Sequence, residues 1–337
     1  MIPVTVLTGF LGSGKTTLLA HLLKSPTLAR TAVIINEFGE IGVDHDLVEA
    51  GEESFVQLET GCLCCSIRGD LEATMADLLA RRAAGTVPPF ERFVIETSGL
   101  ADPAPILNAV MSEAARGSGL ALANIVTTVD AVTGLATLAR EPQSVRQVAV
   151  ADRLVVTKSD LAGVSIGLRD RIAAINPRAE VIVASHGEVD PARLIADAFG
   201  AAAAAREIEA WTSTQHLSIV GQTQQHAHGD DIQCFTIRRD RPISAVAVTL
   251  LLEALADHFG SGLLRLKGIV GIAEHFERPA VIHGVQHVFH APAWLDRWPG
   301  DDRSTRLVLI GRGLSETWVQ CLIAALEAEV AEVRAGA

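Results

Sequence analysis

Four stretches of this chain have the residue types and spacings to do chemistry. The first runs from Gly9 to Thr16 and reads G-F-L-G-S-G-K-T, the pattern G-x-x-x-x-G-K-T. Glycines at 9, 12 and 14 let the backbone curl so that several N–H groups converge on one point. A helix N-terminus at that point favours an anion. Lys15 brings a charge for β- and γ-phosphates and the Thr16 hydroxyl suits Mg2+, so the stretch binds a nucleoside triphosphate. The second stretch, Glu59 to Ser66, holds three cysteines in four positions: Cys62, Cys64 and Cys65. Adjacent cysteines form only a strained disulfide, and thiolates this close need a cation beside them. Zn2+, Co2+ or Cu+ would serve. The spacing is not the two separated C-x-x-C pairs of a closed structural zinc site, so positions stay open for loading and release. A Cys62/Cys64 thiol–disulfide switch is the alternative.

The third stretch is Glu96-Thr97-Ser98-Gly99, which closes the apolar run F-V-I-E. An acidic residue ending such a strand, with glycine soon after, suits a carboxylate that holds Mg2+ or its water and a Gly99 N–H that senses a γ-phosphate. Aspartate is more usual there; the longer Glu96 can act through a water. The fourth is Thr157-Lys158-Ser159-Asp160, a match to [N/T]-K-x-D. The Asp160 carboxylate can accept both the N1–H and the 2-amino protons of guanine, a pair adenine does not offer. The Lys158 stem can lie along the base. Thr157 stands where asparagine is usual, which leaves one supporting hydrogen bond open. Ser185-His186-Gly187 sits where a second base-contacting loop belongs.

The elements that must position these residues follow from hydrophobic pattern. Val4 to Val6 is a strand, and Leu18, Leu19, Leu22 and Leu23 lie on one face of the helix after the glycine loop. Strands are expected at Thr31 to Asn36, Ser54 to Leu58, Phe93 to Glu96, Ala123 to Val129, Arg153 to Thr157 and Glu180 to Ala184. The runs without alternation belong to a sheet covered on both faces. A helix carries Leu71, Met75, Leu78 and Leu79, and another starts at Asp102-Pro103. Glu37 to Asp44 is an acidic, glycine-bearing loop at a strand end, placed to act as a switch. Glu37 and Glu40 in it are metal ligands or water-positioners, or else a solvated acidic surface.

From Thr212 to Asp231 the chain is polar and carries His226 and His228, which reads as a linker with solvated histidines. A second domain follows: strands at Ile232 to Arg238, Leu263 to Val270, Ala280 to Phe289 and Thr305 to Ile310, helices at Val246 to His258 and over Val319, Leu322, Ile323, Leu326 and Val330. His283 and His287 share a strand face in this reading, with His290 opposite, and core or exposed histidines are preferred to a metal site. Cys234 and Cys321 read as core. The expected organisation is a nucleotide domain over 1–200, a linker over 201–230 and a smaller α+β domain over 231–337.

The chain has 337 residues and a formal net charge of -12, which argues against nucleic acid or an anionic membrane as partner. It contains no apolar run long enough to span a bilayer. Strand residues begin almost at Met1, which leaves no room for a leader and implies a cytoplasmic protein with reduced thiols.

Taken together, G-x-x-x-x-G-K-T at 9–16, N-E-F-G-E at 36–40, G-C-L-C-C at 61–65, E-T-S-G-L-A-D-P at 96–103 and T-K-S-D at 157–160 resemble the CobW-type metallochaperone GTPases, relatives of HypB and UreG. L-L-R-L-K-G-I-V at 263–270, H-G-V-Q-H at 283–287 and I-G-R-G-L at 310–314 resemble the CobW C-terminal domain. The resemblance covers nearly the whole chain. It implies an α/β P-loop NTPase of the SIMIBI type, with a doubly wound, mostly parallel sheet, whose nucleotide domain often forms a homodimer to hydrolyse. By position, Gly9, Gly12, Ser13, Gly14, Lys15, Thr16, Thr17 and Gly99 would hold the phosphates and Mg2+, and Thr157, Lys158 and Asp160 would read guanine. Lys15, Thr16 and Glu96 would be catalytic. Cys62, Cys64 and Cys65, with Glu37 and Glu40, would form the metal region. The implied function is a slow GTPase that carries Zn2+ to client metalloproteins. A Co2+ carrier, or a metal- or redox-sensing GTPase that transfers nothing, is the alternative. The long histidine tract of some members is reduced here to His226 and His228, which argues against storage of many ions.

Overall fold

The computed structural model describes residues 1–36, 55–57, 63–67, 71–195, 232–289 and 292–336. Two compact units make up the chain, Met1–Ile172 with Ala179–Phe199, and Ala173–Arg178 with Gly200–Ala337. The expected linker at 201–230, with His226 and His228, lies outside the described residues, as does His290.

The first unit is built on one eight-stranded sheet. Its strands are β1 (Ile2–Gly9), β2 (Thr31–Asn36), β3 (Phe55–Gln57), β4 (Leu63–Ile67), β5 (Arg92–Thr97), β6 (Leu120–Asp130), β7 (Arg153–Thr157) and β8 (Glu180–Val183), in the order β3-β4-β2-β5-β1-β6-β7-β8. Every neighbouring pair is parallel except β3 and β4. The helices of this unit are α1 (Lys15–Leu23), α2 (Leu71–Ala84), α3 (Ala104–Met111), α4 (Glu113–Gly117), α5 (Gly134–Arg140), α6 (Pro142–Val150), α7 (Ile166–Ile175) and α8 (Pro191–Leu194). Leu18, Leu19 and Leu22 of α1 and Leu194 of α8 pack with Leu7, Val94, Val126 and Val155 from one face of the sheet. Thr127, the next residue of β6, points to the opposite face, where its hydroxyl donates to the carbonyl of Gln147 on α6 (2.8 Å). Helices therefore cover both faces, and the central strands are buried over residues 93–97 and 124–130, as their unalternating apolar runs require. Chain order reverses at β1, between β5 and β6. The crevice beyond its C-terminal end is where such sheets bind ligands.

The second unit carries β9 (Ile232–Arg239), α9 (Ala245–Phe259), β10 (Leu263–Val270), β11 (Ala280–Val285), β12 (Val288–Phe289), β13 (Ala293–Trp294), β14 (Thr305–Arg312) and α10 (Glu316–Gly336). Its strands pair antiparallel in the order β12-β11-β10-β14-β9, with β13 on β11. Leu251 and Leu255 of α9 and Val319 and Ile323 of α10 close a core over Ile237, Leu266, Ile282 and Leu307.

Two expectations for this unit fail. The span Ala280 to Phe289 is a hairpin rather than one strand, turning at Gln286 with φ 53°. His287 sits in that turn, so it does not share a strand face with His283, which pairs with Lys267 across β10. Cys321 is exposed. It lies two residues from both Val319 and Ile323 on α10, about 200° away from each around the helix, so it misses the buried stripe. Cys234 is sheltered: burial pushes its thiol up to about 11, against the pull of the nearby Arg178 guanidinium.

Candidate functional site

The loop after β1 follows the path its glycines allow. Gly9 has φ 144°, Gly12 71° and Gly14 87°, and Gly14 is the residue before α1. A side chain at Gly9 would meet the Thr128 hydroxyl at 2.2 Å and the Ser13 hydroxyl at 2.7 Å. Those two hydroxyls bond each other at 2.6 Å, which fixes the loop to β6. Lys15 is buried, and its ammonium donates to the carbonyl of Gly9 at 3.0 Å and to that of Phe10 at 3.4 Å. This Nζ is held at the centre of the loop, where it can meet a phosphate.

Thr16 and Glu96 meet above β1 and β5. The Thr16 hydroxyl donates to Glu96 Oε1 at 2.7 Å, and Glu96 is buried. A hydroxyl and a carboxylate side by side are the hard oxygen donors that Mg2+ prefers. Gly99 then comes back against the glycine loop. A Cβ on it would lie 2.6 Å from both Cα and N of Leu11 and 3.0 Å from Lys15 Nζ. The Gly99 backbone is thereby beside the lysine that would hold the γ-phosphate.

The loop after β7 completes the crevice. Lys158 adopts a left-handed φ of 56°, and its ammonium pairs with Asp130 Oδ2 at 2.7 Å. Asp130 closes β6, and its carboxylate also accepts from the amides of Val132 (2.6 Å) and Thr133 (3.3 Å). Burial alone would push the Asp130 carboxyl up, but Lys158 and those amides outweigh it and hold it below the usual carboxylate range. The Thr157 hydroxyl donates to the Ser13 carbonyl at 2.7 Å, which ties this loop to the glycine loop. Asp160 accepts from the backbone N–H of His186 at 3.1 Å, which holds its carboxyl below its ordinary value and hence ionised. Ser159 Oγ donates to the Ala184 carbonyl at 2.8 Å. The 184–187 loop is thus tied to the 157–160 loop, and Thr17 lies next to Gly187.

Cys64 and Cys65 lie on β4, where they pair with Val33 and Ile34 of β2. Cys62, Glu37 and Glu40 lie outside the described residues. Among the described residues no cluster of three His, Cys, Asp or Glu could hold a metal ion. Three residues escape a motif search. Asp130 orients Lys158. Arg146 pairs with Asp102 at 2.9 Å, and Gln147 donates to the carbonyls of Gly99 and Ala101. A charged residue closing a strand, and a glutamine inside the apolar stripe of a helix, were the signals available.

Comparison with known proteins identifies the family of both halves of the chain. Residues 3–183 match the CobW/HypB/UreG nucleotide-binding domain, and residues 232–327 match the cobalamin synthesis protein CobW C-terminal domain. The zinc chaperone YjiA of Escherichia coli is 34% identical over 325 residues, covering 96% of this chain and 98% of that protein. The zinc chaperone CobW of Pseudomonas aeruginosa is 31% identical, covering 94% of this chain and 88% of its own. The crystal structure of Zn(II)-bound YjiA GTPase from E. coli superimposes with a TM-score of 0.71 at 31% identity, covering 96% of this chain and 98% of that one. The chain belongs to the CobW/HypB/UreG family, with the nucleotide-binding domain followed by the CobW C-terminal domain.

Proposed function

We propose that this chain is a GTPase that binds Zn2+ at Cys62-x-Cys64-Cys65 and passes it to client metalloproteins as GTP is hydrolysed. The observation that carries the reading is a register. Ser66 of β4 pairs with Ile35 of β2, and Ile35 pairs with Glu96 of β5. Cys65 therefore lies one residue before the row that holds Glu96, two strand spacings away, about 10 Å. Glu96 in turn is bonded to Thr16 of the phosphate loop. A change at the phosphates has a short, hydrogen-bonded route to the cysteine strand.

In this reading Lys15, the loop amides from Gly9 to Thr16, and Thr17 hold the phosphates. Asp160 reads guanine, with Lys158 along the base. Thr16 and Glu96 fit Mg2+, which when bound supplies charge neutralisation between the β- and γ-phosphates. Gly99 presents its N–H to the γ-phosphate, and the loops at 36–44 and 96–102 follow the nucleotide state. Zinc is the proposed cargo because the relatives are named for it, and thiolates also suit Co2+, the second choice. No helix among the described residues is long and apolar enough to cross a membrane, and we place the protein in the cytoplasm, where its thiols stay reduced. Leu11, Leu100 and Leu161 are exposed on loops at the strand ends around the crevice, and Ile166 is exposed at the start of α7, which supports a second copy seated there during hydrolysis.

The test is a zinc titration of the parent and of the Cys64→Ser/Cys65→Ser variant, followed by transfer to an apo-metalloprotein. The parent is expected to bind one Zn2+ tightly and the variant at least a hundredfold more weakly. Equal affinities would remove the cysteines from the metal site.

A further inference from the structure

Gln147 is fully buried on α6, a helix whose Val145, Val148, Ala149 and Val150 are buried as well. Its Nε2 donates to two carbonyls of the loop after β5, Gly99 at 3.3 Å and Ala101 at 3.2 Å. Both bonds are long for N–H···O. Its Oε1 is buried and has no hydrogen-bond partner among the described residues. A buried amide that spreads one end over two acceptors and leaves the other end empty is under-bonded, and desolvation without a partner is costly.

The surroundings define what can move to relieve this. The start of the loop is fixed by the Thr16 bond to Glu96 at 2.7 Å and by the Thr97 hydroxyl, which donates to the Thr8 hydroxyl at 2.8 Å. Its end is fixed by Asp102, which pairs with Arg146 at 2.9 Å and accepts from the Ala104 amide at 3.0 Å at the start of α3. Between these anchors residues 98–101 are held only by long bonds, the Ala101 amide and the Thr97 hydroxyl each donating to the Ser98 carbonyl at 3.3 Å, and they lie between the phosphate loop on one side and Gln147 on the other. Turning one peptide of this stretch would exchange a carbonyl facing the Gln147 amide for an N–H. That N–H would give Oε1 its missing donor, while Nε2 kept a single, shorter bond.

We propose that Gln147 is a positioning residue for the γ-phosphate response. It stabilises the position the 98–101 backbone takes when a triphosphate is bound, by accepting a backbone N–H of that loop on Oε1. This rests on the GTPase reading above and adds to it the residue that makes the protein distinguish GTP from GDP. Gln147 touches no substrate; it acts through the loop.

The experiment measures the affinity of Mg2+-GDP and of a Mg2+-bound non-hydrolysable GTP analogue for the parent, Gln147→Met and Gln147→Leu. Both replacements match the volume and remove the hydrogen-bonding end. The expected result is an analogue affinity about tenfold weaker in either variant, the weight of one buried hydrogen bond, with GDP affinity within about twofold of the parent. Hydrogen exchange supplies the second readout: the analogue should protect an amide within residues 99–101 in the parent and not in the variants. An unchanged analogue-to-GDP ratio, a tighter analogue, or equal loss for both nucleotides would overturn the proposal, the last by making Gln147 merely structural. If the parent binds both nucleotides and the ratio does not move, only this proposal falls. If the parent binds neither guanine nucleotide, the GTPase reading falls and takes the proposal with it.

Discussion

The Thr157 hydroxyl donates to the carbonyl of Ser13 at 2.7 Å, so the loop that would read the base is bonded to the loop that would hold the phosphates. In the proposed reading this contact would position the two ends of one nucleotide relative to each other. Thr157→Val removes that bond and leaves a buried carbonyl short of a donor, while the branched shape still fills the site. GDP should bind about fivefold to tenfold more weakly, and stability should fall by about 1 kcal/mol. Thr157→Ser should restore most of both. Fluorescence titration with a labelled GDP, beside thermal unfolding, checks the pair. Parent-like GDP binding by the valine variant would mean the tie does not position nucleotide.

Gly99 should tolerate no side chain. Its added methyl would lie 2.6 Å from Leu11 backbone atoms, and neither partner is a flexible side-chain end that could swing away. Gly99→Ala should cost about 2 kcal/mol in denaturant unfolding, as overpacking does. It should slow GTP hydrolysis by more than tenfold, because the glycine loop must shift to make room. A variant that unfolds at the parent's midpoint and hydrolyses at the parent's rate would contradict the close packing of these two loops.

Asp130 should make stability pH-dependent in the acid range. Its folded carboxyl is held below the ordinary value of 3.8, chiefly because Lys158 and two amides overcome burial. A depressed folded value means that its stabilisation is present above the unfolded value and is lost as pH falls through the folded one. Asp130→Asn keeps an acceptor for the amides and loses the ion pair. The variant should be about 2 kcal/mol less stable than the parent near pH 7, and the gap should narrow below the ordinary carboxylate range. Urea unfolding at neutral pH and below pH 4 measures it. A gap that stays constant with pH would show that the charge on Asp130 does no work.

The nucleotide half of the site was legible because its determinants are local. Gly9 to Thr16, and the strands Thr31 to Asn36 and Arg153 to Thr157, declare themselves within a few residues, and the structure places these elements as read. The reach of Gln147 to Gly99 and Ala101, and of Asp130 to Lys158, was not legible, since each spans long stretches of chain and depends on how the helix and the strands dock. The hairpin at Gln286 was read as one strand because apolar residues continue on both sides of a turn that contains neither glycine nor proline. Cys321 was read as core because its neighbours are apolar, although the helical period sets it on the far side of α10. The cysteines were read as a metal-loading segment. The place of Cys64 and Cys65 on β4, with Cys65 one residue before the row that holds Glu96, needed the sheet order β4-β2-β5, which skips along the chain and is invisible to periodicity.

The central claim is that the state of the nucleotide sets the affinity for metal. A competition titration of Zn2+ against a chromophoric chelator tests it most directly, run with no nucleotide, with Mg2+-GDP and with a Mg2+-bound non-hydrolysable GTP analogue. The coupling predicts that the analogue tightens Zn2+ binding at one site at least tenfold over GDP, and that Zn2+ tightens the analogue by the same factor. Equal Zn2+ affinity in all three conditions would contradict it, and would leave the cysteine strand and the phosphate loop as two sites that do not communicate.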